Sequence, residues 1–398
     1  MIQTIKNIFN YLIKNKNEYL DIIKYSLENE INVKENLIYN DIYNLKLIKH
    51  LVKNGFNINS ENNYILKESS KKGYINTIKY LIENGVDIHT ENDYALKISS
   101  QNGHLEIVKY LIENGVDIHT DNDYALKFSS QNGHLEIVKY LIENGADIHA
   151  NNDYALRYSS IHGYLDIVKY LVENGADIHA EDDYALICAE NGHMEVVKYL
   201  IENGADIHAK NDYALIYSAE NGYLEVVKYL IENGADIHAE DDLALKYSAE
   251  NGHLEVVKYL IENGANIDNN YALKYSACNG HLEIVKYLVG KDIKIYNDSL
   301  LIGIYFYNRY NIIEYLLENT NYKNIVSENE LILLLNSKII NNIINNNKIK
   351  ENINYYLNSI TDEENKNYFK SYYYYKLNNE INNEFKKELL LKSNLINY

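Results

Sequence analysis

A unit of thirty residues recurs along the middle of this chain, and a fixed period of that length leaves few folds open. The copy from Tyr124 to Asp153 reads YALKFSSQNGHLEIVKYLIENGADIHANND, and close copies start at Tyr64, Tyr94, Tyr154, Tyr184, Tyr213, Leu243 and Tyr271. Five of the seven intervals are 30 residues, and the other two are one or two residues shorter. Such a period marks a solenoid, in which each unit buries its apolar face only against its neighbours.

Within the unit, His134 to Gly145 places Leu135, Val138, Leu141 and Ile142 at i, i+3, i+6 and i+7, with Ile137 widening the stripe. That spacing predicts one face of a helix. Glu136, Lys139 and Glu143 fall opposite, where Lys139 and Glu143 are placed to pair one turn apart. Asn144-Gly145 ends the helix, because glycine takes the left-handed conformation of a helix terminus without a side-chain clash. Upstream, Tyr124 to Gln131 is short and rich in small residues: Ala125, Leu126, Ser129 and Ser130 allow a second helix to approach closely. It reads as the inner helix of an antiparallel pair turned at Asn132-Gly133. The remainder, Ala146 to Asp153, is polar and too short for a third helix, so it links one unit to the next.

The run from Gly133 to His149, G-H-L-E-I-V-K-Y-L-I-E-N-G-A-D-I-H, resembles the second half of an ankyrin repeat, and variants begin at Gly73, Gly103, Gly163, Gly192, Gly222, Gly252 and Gly280. The first half departs from that family: its Thr-Pro-Leu-His is Tyr-Ala-Leu-Lys at Tyr124 to Lys127, and its repeat is about 33 residues long. The resemblance implies an all-α, ankyrin-type solenoid of stacked antiparallel helix pairs with shortened inter-repeat hairpins, acting as a protein-protein interaction scaffold and not as an enzyme. Proline-free short repeats in an Asn-, Ile-, Lys- and Tyr-rich chain are most similar to the ankyrin proteins of mimivirus-type giant DNA viruses.

The array is expected over residues 63–319, with eight regular units over 64–298 and a degenerate one over 299–319, whose outer-helix core is Ile312, Ile313, Leu316 and Leu317. Residues 1–62 read as an N-terminal cap with degenerate repeats. The unit at Tyr184 has lost one residue from its inner helix (YALICAENG against YALIYSAENG at Tyr213), which predicts a local irregularity, since one residue turns a helix by about 100°. Ser327-Glu-Asn-Glu330 and Thr361-Asp-Glu-Glu364 read as capping boxes, so residues 320–398 are read as a helical C-terminal cap. The alternative for that stretch is an Asn-rich tail, Asn341 to Asn347 being low in complexity.

Length and composition fit one elongated body. A net charge of -19 repels phosphate backbones, which excludes nucleic acid as a partner and favours a basic protein surface, on a host protein if the chain is viral. Cys188 and Cys278 lie three repeats apart, beyond the reach of a disulfide, which points to a reducing, cytoplasmic setting. No apolar run approaches the roughly 20 residues that span a bilayer, and Met1 to Lys16 lacks the continuous core of a signal peptide, so the chain is read as a monomer neither secreted nor membrane-bound.

Three residue ladders carry the candidate chemistry. His89, His119, His149, His179, His208 and His238 each follow an aspartate by two positions (Asp87, Asp117, Asp147, Asp177, Asp206 and Asp236). In an extended link such pairs point the same way and could hold a metal or tune the histidine pKa, but neighbouring units sit roughly 8 to 10 Å apart, which is too far for a shared ion. The reading is that they brace the turn by hydrogen bonds. The resemblance also places this slot near the asparagine that hydroxylases modify in ankyrin proteins. Lys67, Lys97, Lys127, Arg157, Lys246 and Lys274 are expected to answer the acidic links Asp93, Asp123, Asp153 and Asp183. The third ladder, next to the cations, is the most variable: Glu68, Ile98, Phe128, Tyr158, Cys188, Tyr217, Tyr247 and Tyr275. The resemblance puts it on a concave face, which makes Ile98, Phe128, Tyr158, Tyr217, Tyr247 and Tyr275 candidate partner-binding residues. Alternatively these rings pack between inner helices. Asp123, Asp153, Asp183, Asp212 and Asp242, on the fingers, are candidate acidic contacts. No catalytic, phosphate-binding or metal motif is present, so no cofactor is expected. A second functional reading is a ubiquitin-ligase adaptor that recruits the ligase through its C-terminal helices.

Overall fold

The computed structural model describes residues 64–187, 191–267, 271–291 and 309–318, together with Leu45 and Lys49. The rest of the expected N-terminal cap, the irregularity at 188–190, the first part of the degenerate repeat and the C-terminal cap lie outside the described residues. Those described form helices and turns, with no strand among them. The chain divides into two compact units, Met1–Ala209 and Lys210–Tyr398.

The first unit contains α1 (Tyr64–Lys72), α2 (Ile75–Glu83), α3 (Thr90–Gln101), α4 (Leu105–Glu113), α5 (Thr120–Gln131), α6 (Leu135–Glu143), α7 (Ala150–Ile161), α8 (Leu165–Glu173), α9 (Ala180–Ile187) and α10 (Met194–Glu202). Odd-numbered helices are inner and pack side by side in sequence order; even-numbered helices are outer and each packs on the inner helix before it. The second unit repeats the plan with α11 (Ala209–Glu220, which opens at the boundary residue), α12 (Leu224–Glu232), α13 (Ala239–Glu250), α14 (Leu254–Glu262), α15 (Tyr271–Asn279) and α16 (Leu282–Val289), and adds one more outer helix, α17 (Tyr310–Glu318), which packs on α16. The fold is therefore the all-α repeat solenoid read from the period.

In α6, Ile137, Val138 and Leu141 are at most 2 % exposed, and their counterparts Ile107, Val108 and Leu111 in α4 match them. Each such side chain contributes roughly 1.5 to 3 kcal/mol before ordering entropy is subtracted. Leu135 and Ile142 are only half-buried, so the core stripe is narrower than the spacing predicted. Small residues let the inner helices close on it: Ala125, Ser129 and Ser130 are almost wholly buried. Lys139 pairs back to Glu136 at 3.0 Å and not forward to Glu143, the order in which an acid N-terminal to a cation also suits the helix dipole. Ile312, Ile313 and Leu316 of α17 are buried as expected of a degenerate outer helix.

The outer helices end in a wrap in which Ala146 N–H donates to Leu141 O and Gly145 N–H to Ile142 O, both at 3.0 Å, while Asn144 Nδ2 caps Tyr140 O. The link that follows is no irregular finger. Asp121, Asn122 and Asp123 have φ of 51°, 54° and 56°, and the same three-residue left-handed turn recurs at Glu91–Asp93, Asn151–Asp153, Glu181–Asp183, Lys210–Asp212 and Glu240–Asp242. Left-handed backbone costs roughly 1 to 2 kcal/mol per non-glycine residue, so each turn needs anchors. Local ones come from Asp123 N–H to His119 O and from His119 N–H to Asp117 Oδ1.

Candidate interaction face

The six half-buried row residues lie on inner helices: Ile98, Phe128 and Tyr158 in the first unit, and Tyr217, Tyr247 and Tyr275 in the second. Cys188 lies outside the described residues. A second column of rings, four residues earlier, supports the row. Phe128 stacks on Tyr124 with centroids 4.0 Å apart, Tyr158 stacks on Tyr154 at 3.9 Å, and Tyr217 meets Tyr213 edge-on at 5.5 Å. Phe128 also tilts toward Tyr154 of the next repeat at 6.2 Å. The rings pack against neighbouring rings, yet none is fully buried. The i, i+4 spacing of the supporting tyrosines was visible in the sequence but carried no functional signal there.

The cations behave differently from the expectation that they answer Asp93 and its counterparts. Lys67 pairs with Glu91 and Lys97 with Asp121 at 2.5 Å, two positions before the aspartates expected, because those aspartates point into the stack. The Lys97 hydrogen bond holds the Asp121 carboxyl below its usual range. Lys67 and Lys97 also sit over the rings of Tyr94 and Tyr124, 5.6 and 5.7 Å from their centroids. The next turn carries Asn151 where other turns carry an exposed acid, and Lys127 curls back to Asp121 O at 3.0 Å; it is buried, and desolvation pushes its amine pKa down. Arg157 likewise donates to the carbonyls of Asn151 and Asn152.

Asp123, Asp153, Asp183, Asp212 and Asp242 are 4 to 6 % exposed, which removes them as acidic contacts for a partner. Their carboxylates are occupied within the stack. Asp123 Oδ1 accepts Asp147 N–H, Asp153 Oδ1 accepts Asp177 N–H and Asp183 Oδ1 accepts Asp206 N–H, each at 2.8 Å; Asp212 and Asp242 hold Asp236 and Asn266 in the same way. The acids exposed on the turns are their neighbours, Glu91, Asp121, Glu181, Asp182, Glu240 and Asp241. The histidine ladder does brace the turn, but the ring bonds the aspartate four residues later: His149 Nδ1 is 3.1 Å from Asp153 Oδ1, and only the His149 backbone N–H goes to Asp147.

Two further ladders escaped the sequence reading. His134 lies against Gly103 and bonds Gln101 O through Nε2 at 3.0 Å; His104 and His281 do the same to Lys71 O and Glu250 O. On the outer helices, Lys79, Lys109 and Lys169 sit over Tyr110, Tyr140 and Tyr199 of the following repeats at 5.4 to 5.7 Å. Burial, and then the Glu113 charge, push the Tyr140 phenol up.

Among the described residues, no group of three or more histidines, cysteines or acids is placed to hold a metal ion, and no helix is long and apolar enough to cross a membrane. Cys278 is a free thiol whose pKa burial raises. The family model for ankyrin repeats, three copies long, matches residues 38–122, 96–182, 185–271 and 245–329. No curated protein matches the chain.

Proposed function

This chain belongs to the ankyrin repeat family, whose repeats generally mediate protein-protein interaction, and from that premise we propose that it is a non-enzymatic scaffold that binds a protein on its inner-helix face. The observation that carries the reading is the set of rings within each unit, Phe128 and Tyr158 in the first and Tyr217, Tyr247 and Tyr275 in the second: each is half-buried on an inner helix, so it offers apolar area at little ordering cost. Exposed acids on the left-handed turns, Glu181, Asp182, Glu240 and Asp241 among them, make a basic partner surface the better complement. That acidic rim replaces the five buried aspartates. A viral source, with a host cytoplasmic protein as partner, belongs to this proposal and is supported by the chain's composition and its few cysteines. The ligase-adaptor alternative depends on residues 320–398, outside the described set, and no observation favours it.

The test is a chain with Tyr158, Tyr217 and Tyr247 all changed to alanine. Partners identified by proximity labelling around the wild type in its native cell should bind the variant at least about tenfold more weakly, with the helical circular dichroism unchanged. Equal retention by a folded variant would remove the inner-helix face as the binding site.

A further inference from the structure

Five turns share one arrangement of titratable groups. His89, His119, His149, His179 and His238 are each more than half exposed, and each ring lies 2.8 to 3.1 Å from an aspartate, four residues later, whose side chain is at most 8 % exposed. A buried carboxylate has lost its water and must be satisfied by donors. Here one donor comes from its own turn and another from the following repeat, the backbone N–H of Asp147, Asp177, Asp206 or Asn266, or, for Asp93, the hydroxyl of Thr120 at 2.6 Å. The carboxylate is thus the pin of the joint between two repeats, and a solvent-exposed imidazole is fastened to it.

We propose that the His179-Asp183 pair makes its repeat junction proton-sensitive: adding a proton to the ring turns a hydrogen bond from a neutral donor to the carboxylate into an ion pair and tightens the joint. An imidazolium adds direct charge attraction to the hydrogen bond that neutral imidazole already gives the carboxylate, and imidazole is the side chain that takes up a proton between about pH 8 and 5. The groups facing His179 are all carboxylates: Asp183 on its own turn, Asp177 two residues before, and Asp206 from the next repeat. The hydrogen bond to Asp183, and then the charge of Asp183, raise the His179 pKa above its ordinary value. Beside Asp123 the charge of Lys127 also faces the carboxylate. Since a raised pKa means tighter proton binding in the folded state, the stabilisation is fully present below about pH 6.5 and is lost as pH rises through the folded value.

The test is amide hydrogen exchange of the full chain at pH 6 and pH 8, corrected for the intrinsic rate. In the wild type, protection at the amide of Asp206 should fall roughly three- to tenfold between pH 6 and pH 8. In His179→Gln, the fall at Asp206 should disappear, while protection at Asp177, whose amide is held by Asp153, should match the wild type at each pH. An unchanged fall at Asp206 in the variant, or equal protection at both pH values in the wild type, overturns the proposal. A proton titration of His179 in the wild type gives a readout that requires no variant: a midpoint at or below the ordinary 6.5 also overturns it.

Discussion

Gly103 and Gly115 stand twelve residues apart in one repeat, both with positive φ (81° and 93°), yet they do different work. A methyl on Gly115 would meet nothing within 4 Å, whereas one on Gly103 would stand 2.7 Å from His134 Cε1, in a ring already fastened to Gln101 O. Gly115→Ala should therefore cost only the left-handed backbone, about 1 kcal/mol, and Gly103→Ala about 3 kcal/mol because the His134 stack must also open; paired urea titrations measure the difference. The serines give a second contrast. Ser130 Oγ is buried with no hydrogen-bond partner, while Ser160 Oγ donates to Leu156 O at 2.8 Å. Ser130→Ala should leave stability unchanged or raise it by up to about 1 kcal/mol, and Ser160→Ala should lose about 1 kcal/mol. The chain itself carries alanine at the corresponding Ala219, Ala249 and Ala277. At this scale the apolar core of the outer helix, Ile137, Val138 and Leu141, was legible from its spacing. The burial of Asp123 was not, because its partner amide, Asp147 N–H, lies a repeat away.

Among the elements, the left-handed turns are the part that propensity opposes. Asn122, Asn152 and Asn211 sit at the middle of their turns and also donate to Asn151, Glu181 and Glu240 of the next turn, so a polar rail runs along the edge of each unit. A β-branched residue tolerates this backbone worst and glycine best. Asn152→Gly should accordingly stay within about 0.5 kcal/mol of wild type, while Asn152→Val should lose about 2 kcal/mol in thermal or urea unfolding. No sequence signal announced three consecutive left-handed residues at Glu91–Asp93 or Glu181–Asp183. Each is held by cross-repeat bonds that exist only once the neighbouring repeat is in place.

For the molecule as a whole, stability in a stack of near-identical modules is a sum of module and junction contributions. Excising residues 124–153 joins Asp123 to Tyr154 and preserves the order of every motif. That deletion should leave mean helicity per residue unchanged and lower the urea m-value roughly in proportion to the residues removed. Excising residues 124–138 should instead broaden the transition, because it leaves an outer half without its inner helix. Circular dichroism through a urea titration distinguishes the two.

The sequence by itself determined the module. Its period is read directly from the recurrence of the unit, and its glycine stops and the aliphatic stripe of the outer helix are local features, fixed by backbone conformation or by 3.6-residue spacing within about a dozen residues. Only the tertiary structure decided which polar groups face inward. Whether Asp153 is a surface acid or a buried pin, whether Lys97 answers Asp123 or Asp121, and whether Tyr158 stands alone or against Tyr154 depend on donors, charges and rings that become neighbours when modules stack. The physical reason is that desolvation is collective: a carboxylate is buried only where the next repeat brings the amide that replaces its water.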